Sequence, residues 1–572
     1  MLRQISRRSV KSRRSLSSVA DRCSLNLITS PFPPIPDGPF PPLFEFVSEN
    51  WAISKGGYLN ENNVAIIDGH TGMQRTFEDY ATSTVNMATC FVREFGLEEN
   101  DTVALYCPNH VDYAPITLSV ALAGAKLTPI NPLCTVQELP VILQRSHATI
   151  LIAHAKTLLV ALEAVKDCPR VQHVIVVTDE NVDAAVPYGV IDLKHLRRFE
   201  SDEPLTSTPH AVHRSTSHHP VILPYSSGTT GMPKGVCLTH SNIVANLLQF
   251  DQVESIGFPP DHKLISPLPF FHIYAFTVSM LFPAWKGHTV ITSSGRFDLL
   301  EFCQLIETHR PRRAHLVPPI LLGLAKHPIV DNYNLSSLDM IISAAAPLSS
   351  ETEKAVMDRL PHTKVKQGWG MSELSPIGAM NSDFASKSGS VGPVVSSTIA
   401  KVVDEHGNSL PPHQSGELYI KGPQVMMGYL NDPDKTAECL TETGWLRTGD
   451  LAHYDEEGYL FITDRVKELI KVRGYPVAPA ELEAVLLRHP AVADAAVVSI
   501  LDEESGELPR AFVTLKAGKE ISDKELYEFV KEQVAPYKRL DGGITFVDEI
   551  PKSASGKILR RILRDQVRQE QK

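Results

Sequence analysis

The spacing of apolar positions along the chain changes period several times, and each change marks an element. From Leu43 to about Leu205, stretches with helical spacing alternate with short β-rich runs such as Ile150–Ala153 and His173–Val177. Such alternation predicts α/β layering. Val221–Tyr225 is a short apolar run leading directly into a glycine-rich segment, and Asn242–Phe250 then takes helical spacing, with Ser241 or Asn242 placed to cap it. The predicted order is strand, glycine-rich turn, helix, which would point backbone N–H groups at an anion.

Toward the C-terminus the texture changes. Pro479–His489 predicts a helix, with Pro479 tolerated in its first turn and Leu482, Val485 and Leu486 on one face. Ala493–Ile500 is a β-like run, and Ser522–Glu525 has the capping-box pattern that opens a helix through Val534. Together they predict a compact α+β unit of about 100 residues, bounded near Asp464–Lys467. Pro31–Pro42 is proline-rich and reads as a linker. Thr206–Pro220 is polar and aperiodic, so it reads as a loop, and its histidines lack ligand spacing.

Composition sharpens this outline. A chain of 572 residues exceeds a typical single core, so two or more domains are expected. Hydrophobic residues at 43% and charged residues at 21% are ordinary for a globular protein. A net charge of -11 argues against bulk nucleic-acid binding. The cysteines form no CxxC pair, which predicts neither a zinc site nor a disulfide framework and fits a reducing compartment. No apolar run reaches the roughly 20 residues of a membrane span. Residues 1–25 hold Arg3, Arg7, Arg8, Lys11, Arg13 and Arg14, many serines and no acid before Asp21. That is the profile of a mitochondrial transit peptide; a basic tail on a cytoplasmic protein is the alternative.

Candidate chemistry begins at Tyr225–Gly235, YSSGTTGMPKG. Gly228, Gly231 and Gly235 permit close backbone approach, Ser226, Ser227, Thr229 and Thr230 add hydroxyls, and Lys234 adds a cation. Such a loop can wrap a polyphosphate, yet it is not a Walker A motif, because Lys234 precedes Gly235 rather than Ser or Thr. Gln367–Glu373 (QGWGMSE) sets a flat aromatic between glycines and adds a carboxylate able to hold Mg²⁺. Thr448–Asp450 (TGD) offers an acceptor for ribose hydroxyls, and Asp464–Gly474 (DRVKELIKVRG) is charged but punctuated by Val466, Leu469 and Ile470. Taken singly, these three segments read as a core tryptophan with a turn, an ordinary turn and a solvated amphipathic stretch.

Taken together and in order, they resemble the adenylate-forming superfamily of acyl-CoA synthetases, 4-coumarate–CoA ligases, beetle luciferases and peptide-synthetase adenylation domains. The resemblance runs from about residue 45 to about 565. It includes Ser343–Pro347 (SAAAP), Gly416–Tyr429 (GELYIKGPQVMMGY), Gly444–Leu451 (GWLRTGDL) and Pro551–Arg560 (PKSASGKILR). Phe271–Ala275 (FHIYA) is similar to the 4-coumarate–CoA ligase and luciferase branch.

The resemblance implies an α/β fold in which layered sheets and helices form a large N-terminal domain at 43–463. After leader 1–25 and linker 26–42, it implies a hinge at 464–467 and a small mobile α+β C-terminal domain at 468–572. It implies an acid–thiol ligase: a carboxylate attacks the α-phosphate of ATP, releasing pyrophosphate, and the CoA thiol then attacks the acyl-adenylate, releasing AMP. By the same carry-over, Ser226–Gly235 would hold the β- and γ-phosphates, and Thr230 and Glu373 would place Mg²⁺. Ala345, Ala346 and Trp369, with Gly370, Met371 and Ser372, would frame the nucleotide, and Asp450 and Arg465 would hold its ribose. Lys557 would bridge the substrate carboxylate and the α-phosphate. Lys467 would sit at the hinge; Lys471, Arg473 and Gly474 would approach the nucleotide or CoA after rotation. His272 would gate the path between the acyl and thiol sites. Ile273, Tyr274, Ser343, Ala344, Gly370, Met371 and Pro376 would wall the acyl group, taken to be a medium-chain fatty acid or a 4-coumarate-like aryl acid.

The chain departs from the family at Ala344, where glycine is commoner, and at Ser372, where threonine is usual. Serine keeps the hydroxyl, and Ala344 adds one methyl to the acyl pocket. Rival readings are a luciferase-like monooxygenase, a carrier-loading adenylation module and a non-catalytic acyl- or nucleotide-binding protein. Intact Lys557, Glu373 and Asp450 count against the last.

Overall fold

The computed structural model describes residues 26–51, 63–179, 186–199, 217–226, 233–254, 262–473, 475–502, 504–553 and 556–570. The expected leader 1–25, most of the polar loop, Ser227–Met232 of the phosphate segment and Gly474 lie outside them.

Two large, mostly parallel sheets carry the N-terminal unit. One is built around Thr102–Tyr106, Lys126–Ile130, Ala148–His154 and His173–Val177, the other around Val64–Asp68, Lys263–Ile265, Thr289–Thr292, Arg313–Leu316, Met340–Ser343 and Lys364–Gly370. Parallel strands covered on both faces read as unbroken apolar runs, as VALY within Thr102–Tyr106 does. The helix Tyr113–Leu122 (YAPITLSVAL) is buried at every position, as expected of a helix apolar all round. A third, antiparallel sheet joins Ile399–Val403, Gly416–Lys421, Leu446–Tyr454 and Leu460–Arg465.

The stretch 26–42, expected as a linker, is tied to this body. Ile28 and Thr29 pair with Ala400 and Ile399, and Ile35, buried, donates its N–H to Ser397 Oγ at 3.1 Å. Its prolines stiffen the segment, but its apolar residues hold it down.

The expected strand–turn–helix around the phosphate segment is instead a hairpin. Tyr225 and Ser226 pair antiparallel with Gly235 and Lys234, and the expected helix follows as His240–Glu254, beginning two residues before Asn242. The strand Lys234–Thr239 (KGVCLT), buried from Gly235 onward, stands between the glycine-rich loop and that helix. The cap is Thr239 rather than Ser241 or Asn242: its Oγ1 accepts from Asn242 N, and Asn242 Oδ1 accepts from Thr239 N.

The C-terminal unit follows the predicted order closely. The helix Pro479–Leu487 and the strand Val492–Asp502 appear, and Ser522 and Glu525 form the reciprocal capping box of Asp523–Lys531. The strand Leu460–Arg465 still belongs to the large unit, because Arg465 pairs with Asp450. The chain leaves it through the short turn Val466–Glu468 and enters the C-terminal sheet at Ile470. The crossing therefore begins two residues later than Asp464.

Candidate active site

Thr448–Asp450 (TGD), an ordinary turn when read alone, lies inside the strand Leu446–Tyr454, and its polar groups are partnered within the protein. Thr448 Oγ1 donates to Leu418 O at 2.7 Å and accepts from Asp450 N at 3.1 Å. Gly449 adopts φ +71°, a region glycine enters without penalty, and donates its N–H to Glu417 Oε1 at 3.3 Å. Asp450 is buried as a result. Its Oδ1 pairs with Arg465 Nε at 2.6 Å, and its Oδ2 accepts from Trp369 Nε1 at 3.0 Å. Burial raises the Asp450 carboxyl pKa, and the Arg465 charge opposes that rise. Trp369 can lie against the next strand because residue 378 is glycine: a Cβ there would fall 2.4 Å from Trp369 Cζ3.

Glu373 is also buried. Its Oε1 accepts from the Tyr429 hydroxyl at 2.8 Å, and its Oε2 has no hydrogen bond among the described residues. The short strand Gly428–Tyr429 pairs with Val236–Cys237, just beyond Lys234. Lys234 Nζ lies 4.8 Å from the Tyr429 ring centroid, a cation–π distance. Tyr429 thus joins the phosphate hairpin to the carboxylate.

Lys557 enters this cleft from the C-terminal unit. It follows Gly556, whose φ of +77° turns the chain against Val317 and Pro319 of the large unit. The Lys557 side chain keeps an exposed flank, yet the surrounding protein desolvates its ammonium and lowers its pKa. Arg465 adds to that effect, while Asp450 and Glu373 oppose it. His272 faces the same ammonium. Burial pushes its pKa down to about 3, Lys557 contributing, so its imidazole is neutral. Tyr274 N donates to His272 Nδ1 at 3.3 Å.

Ile273, Tyr274, Ser343, Ala344 and Pro376 are buried, and Gly370 and Met371 are half-buried. The Tyr274 hydroxyl donates to Ile342 O at 3.4 Å. Gly370 could carry no side chain, since a Cβ would lie 2.0 Å from Pro376 O, the atom that accepts from Met371 N at 3.0 Å. Ala345 holds a φ of +73°, and Ala346 beside it is half-buried. Ser372 opens the short turn Ser372–Leu374 that presents Glu373.

Lys557, Asp450, Arg465, Glu373, Trp369 and His272 are therefore brought together. Lys471 and Arg473 are not joined to them. Lys471 N donates to Glu507 Oε2 at 2.7 Å and Arg473 N to Ser505 O at 2.7 Å, both within the C-terminal unit. Lys467 is exposed at the crossing and faces Glu417 and Glu438. Sequence reasoning quoted Glu417 and Tyr429 inside GELYIKGPQVMMGY but gave neither a role.

Away from the cleft, His110, His154 and Asp179 gather at the carboxyl ends of adjacent parallel strands, with His110 and His154 Nε2 at 3.9 Å and 3.6 Å from Asp179 Oδ1. Each Nδ1 already accepts a backbone N–H, from Asp112 and Lys156 respectively. Neutral rings so held carry their protons on Nε2, facing the carboxylate. A metal-bound histidine would need its other nitrogen to donate instead. The Asp179 contacts are longer than hydrogen bonds, so the cluster is an electrostatic one.

Residues 57–430 match the model of the AMP-binding enzyme family, and residues 481–557 match the AMP-binding enzyme C-terminal domain. The chain belongs to the AMP-binding enzyme family. It is similar to 4-coumarate–CoA ligase 1 of Petroselinum crispum, 39% identical over 536 residues covering 92% of this chain and 94% of that one. Among solved structures it is similar to ATP-bound MatB from Rhodopseudomonas palustris, with a TM-score of 0.81 at 25% identity, covering 93% of this chain and 99% of that one. Apo MatB superposes over the same shares of each chain, also at 25% identity, with a TM-score of 0.71. As a member of this family the chain is an AMP-forming acid–thiol ligase, making an acyl-adenylate and then a CoA thioester from ATP and CoA with Mg²⁺. The monooxygenase and non-catalytic alternatives are not favoured.

Proposed function

We propose that the cleft activates an aryl acid of the hydroxycinnamate type, and that the present arrangement serves its adenylation. The observation that carries this is the convergence of Lys557 on Asp450, Arg465 and Glu373, while the Lys471 backbone is bonded through its N–H to Glu507 inside the C-terminal unit. The better superposition on ATP-bound than on apo MatB supports the same state.

Joining a carboxylate to a triphosphate brings anions together, so catalysis is positioning plus charge neutralisation. Lys234 lies at the hairpin that would receive the phosphates, and Asp450 takes the ribose. Glu373, with Oε1 held by Tyr429 and Oε2 directed elsewhere, fits a cation carried by ATP; Mg²⁺ there would neutralise phosphate charge. Thr230 would assist by the family pattern. Lys557 places its charge where the carboxylate oxygen meets the α-phosphate. The acyl chain would lie against Ile273, Tyr274, Ala344 and Gly370, positions that are apolar apart from the Tyr274 hydroxyl and so suit an aromatic ring. The names of the relatives, 4-coumarate–CoA ligases, support the same acid class. Rotation about Val466–Glu468 would then bring Lys471, Arg473 and Gly474 to the cleft for CoA.

A panel of hydroxycinnamic, benzoic and medium-chain fatty acids, scored by AMP and acyl-CoA formed, tests this. Hydroxycinnamates should give the highest kcat/KM; a preference for fatty acids overturns the acid class. Residues 1–25 we read as a mitochondrial address from their composition, and an unchanged distribution on deleting them overturns that reading.

A further inference from the structure

Asn109 lies in the turn between Thr102–Tyr106 and the helix Tyr113–Leu122, and the reaction above gives it no part. Its side chain is only 6% exposed, and both of its polar ends are engaged. Nδ2 donates to Leu268 O at 2.9 Å and to Thr292 Oγ1 at 2.8 Å, and Oδ1 accepts from Phe270 N at 2.7 Å. Thr292 Oγ1 in turn donates to Ser266 O at 3.0 Å.

These contacts cross between the two large sheets. Asn109 follows a strand of one, while Thr292 ends a strand of the other and Ser266 follows that strand's neighbour, Lys263–Ile265. One amide therefore closes the turn Leu268–Phe270 from both of its backbone ends. Phe270 is fully buried and meets the Tyr113 ring edge-on at 5.7 Å. The turn leads straight into His272, whose N–H donates to Pro269 O at 3.0 Å. Among the described residues the His272 ring has only the long 3.3 Å bond from Tyr274 N, so its position is inherited from the turn.

A buried amide gains little net stability over an apolar filler, because each of its bonds replaces one with water. What it supplies is direction, and here both ends are directed at a single turn. We propose that Asn109 is a positioning residue that holds His272 in register between the acyl and thiol sites, so that CoA transfer depends on it more than acid activation does. This rests on the reading of His272 as the gate.

The test measures the two half-reactions separately in the full-length chain: ATP–pyrophosphate exchange, and consumption of preformed acyl-adenylate by CoA. Asn109→Asp keeps the acceptor for Phe270 N but sets a carboxylate oxygen against Leu268 O. CoA transfer should slow by roughly ten- to hundred-fold, the scale of a small misplacement, while exchange changes little. In a His272→Ala background the same substitution should add nothing further. Equal losses in both half-reactions, no loss in either, or a full effect without His272 overturns the proposal. Should Asn109→Asp melt below the assay temperature, Thr292→Val removes one anchor and is judged by the same asymmetry. Normal CoA transfer by His272→Ala alone overturns the gate reading itself, an outcome separable from the Asn109 result.

Discussion

Trp369 Nε1 donates to Asp450 Oδ2 at 3.0 Å while Arg465 Nε holds Oδ1 at 2.6 Å, so both carboxylate oxygens are oriented before a nucleotide arrives. Asp450→Ala should abolish measurable ATP binding by calorimetry. It should cost the fold little, because Arg465 is 41% exposed and water screens its loss of a partner, an effect of about 1 kcal/mol or less. Trp369→Phe should keep the fold and raise the KM for ATP. An unchanged KM would show that the indole N–H does not orient the carboxylate.

Tyr429 supports Glu373 from behind. Tyr429→Phe removes the 2.8 Å bond to Oε1 and keeps the ring beneath Lys234. Outer partners of a metal-binding carboxylate typically contribute roughly ten- to hundred-fold in affinity. The Mg²⁺ concentration for half-maximal pyrophosphate exchange should rise accordingly, and Mn²⁺ titrated by electron paramagnetic resonance in the presence of ATP should bind more weakly. Identical metal titrations would leave Tyr429 a packing residue.

Lys557→Ala should stop pyrophosphate release while preformed acyl-adenylate still reacts with CoA. The wild-type profile carries a second signature. Lys557 is charged below its folded pKa and loses the charge as pH rises through it. Because desolvation by the surrounding protein and Arg465 lower that value, kcat/KM for adenylation should fall on the alkaline side below the ordinary lysine value of about 10.4. Lys557→Arg should shift that limb to higher pH.

His272 should add no limb of its own near the ordinary histidine value of about 6.5, since burial leaves it neutral down to about pH 3. A limb near neutrality in CoA transfer that disappears in His272→Ala would contradict the desolvated, neutral ring.

Lys366 donates to Glu254 Oε2 at 2.7 Å and to Asp383 Oδ1 at 2.5 Å, and both Lys366 and Glu254 are 1% exposed. Lys366→Met leaves buried carboxylates with Arg313 alone. Denaturant unfolding should show a loss of roughly 3–5 kcal/mol, the cost of breaking such a pair from one side. A loss below 1 kcal/mol would mean that water or Arg313 takes up the charge.

How much of this was legible beforehand differs by element. The capping box Ser522–Glu525 and the strand around Ala493–Ile500 were readable because the interactions that make them are local. The hairpin at Tyr225–Gly235 reads from the sequence as a strand-to-helix turn, because Lys234–Thr239 lies between a glycine-rich loop and a helical pattern. Ile28–Thr29 was read as linker because its partner, Ile399–Ala400, is remote in the chain. Asn109 carried no signal at all: its partners Leu268, Phe270 and Thr292 meet it only across the junction of two sheets.

The chemical inventory followed from the sequence alone: a glycine- and hydroxyl-rich loop that is not Walker A, the carboxylates Glu373 and Asp450, Arg465, and a lysine near the C-terminus. Residue type and order specify which charges a triphosphate can meet. Tertiary structure decided which of these charges share one cleft, that Lys557 rather than Lys471 occupies it here, and that burial holds His272 neutral. Those outcomes depend on distance and desolvation, and neither is set by neighbours in the chain.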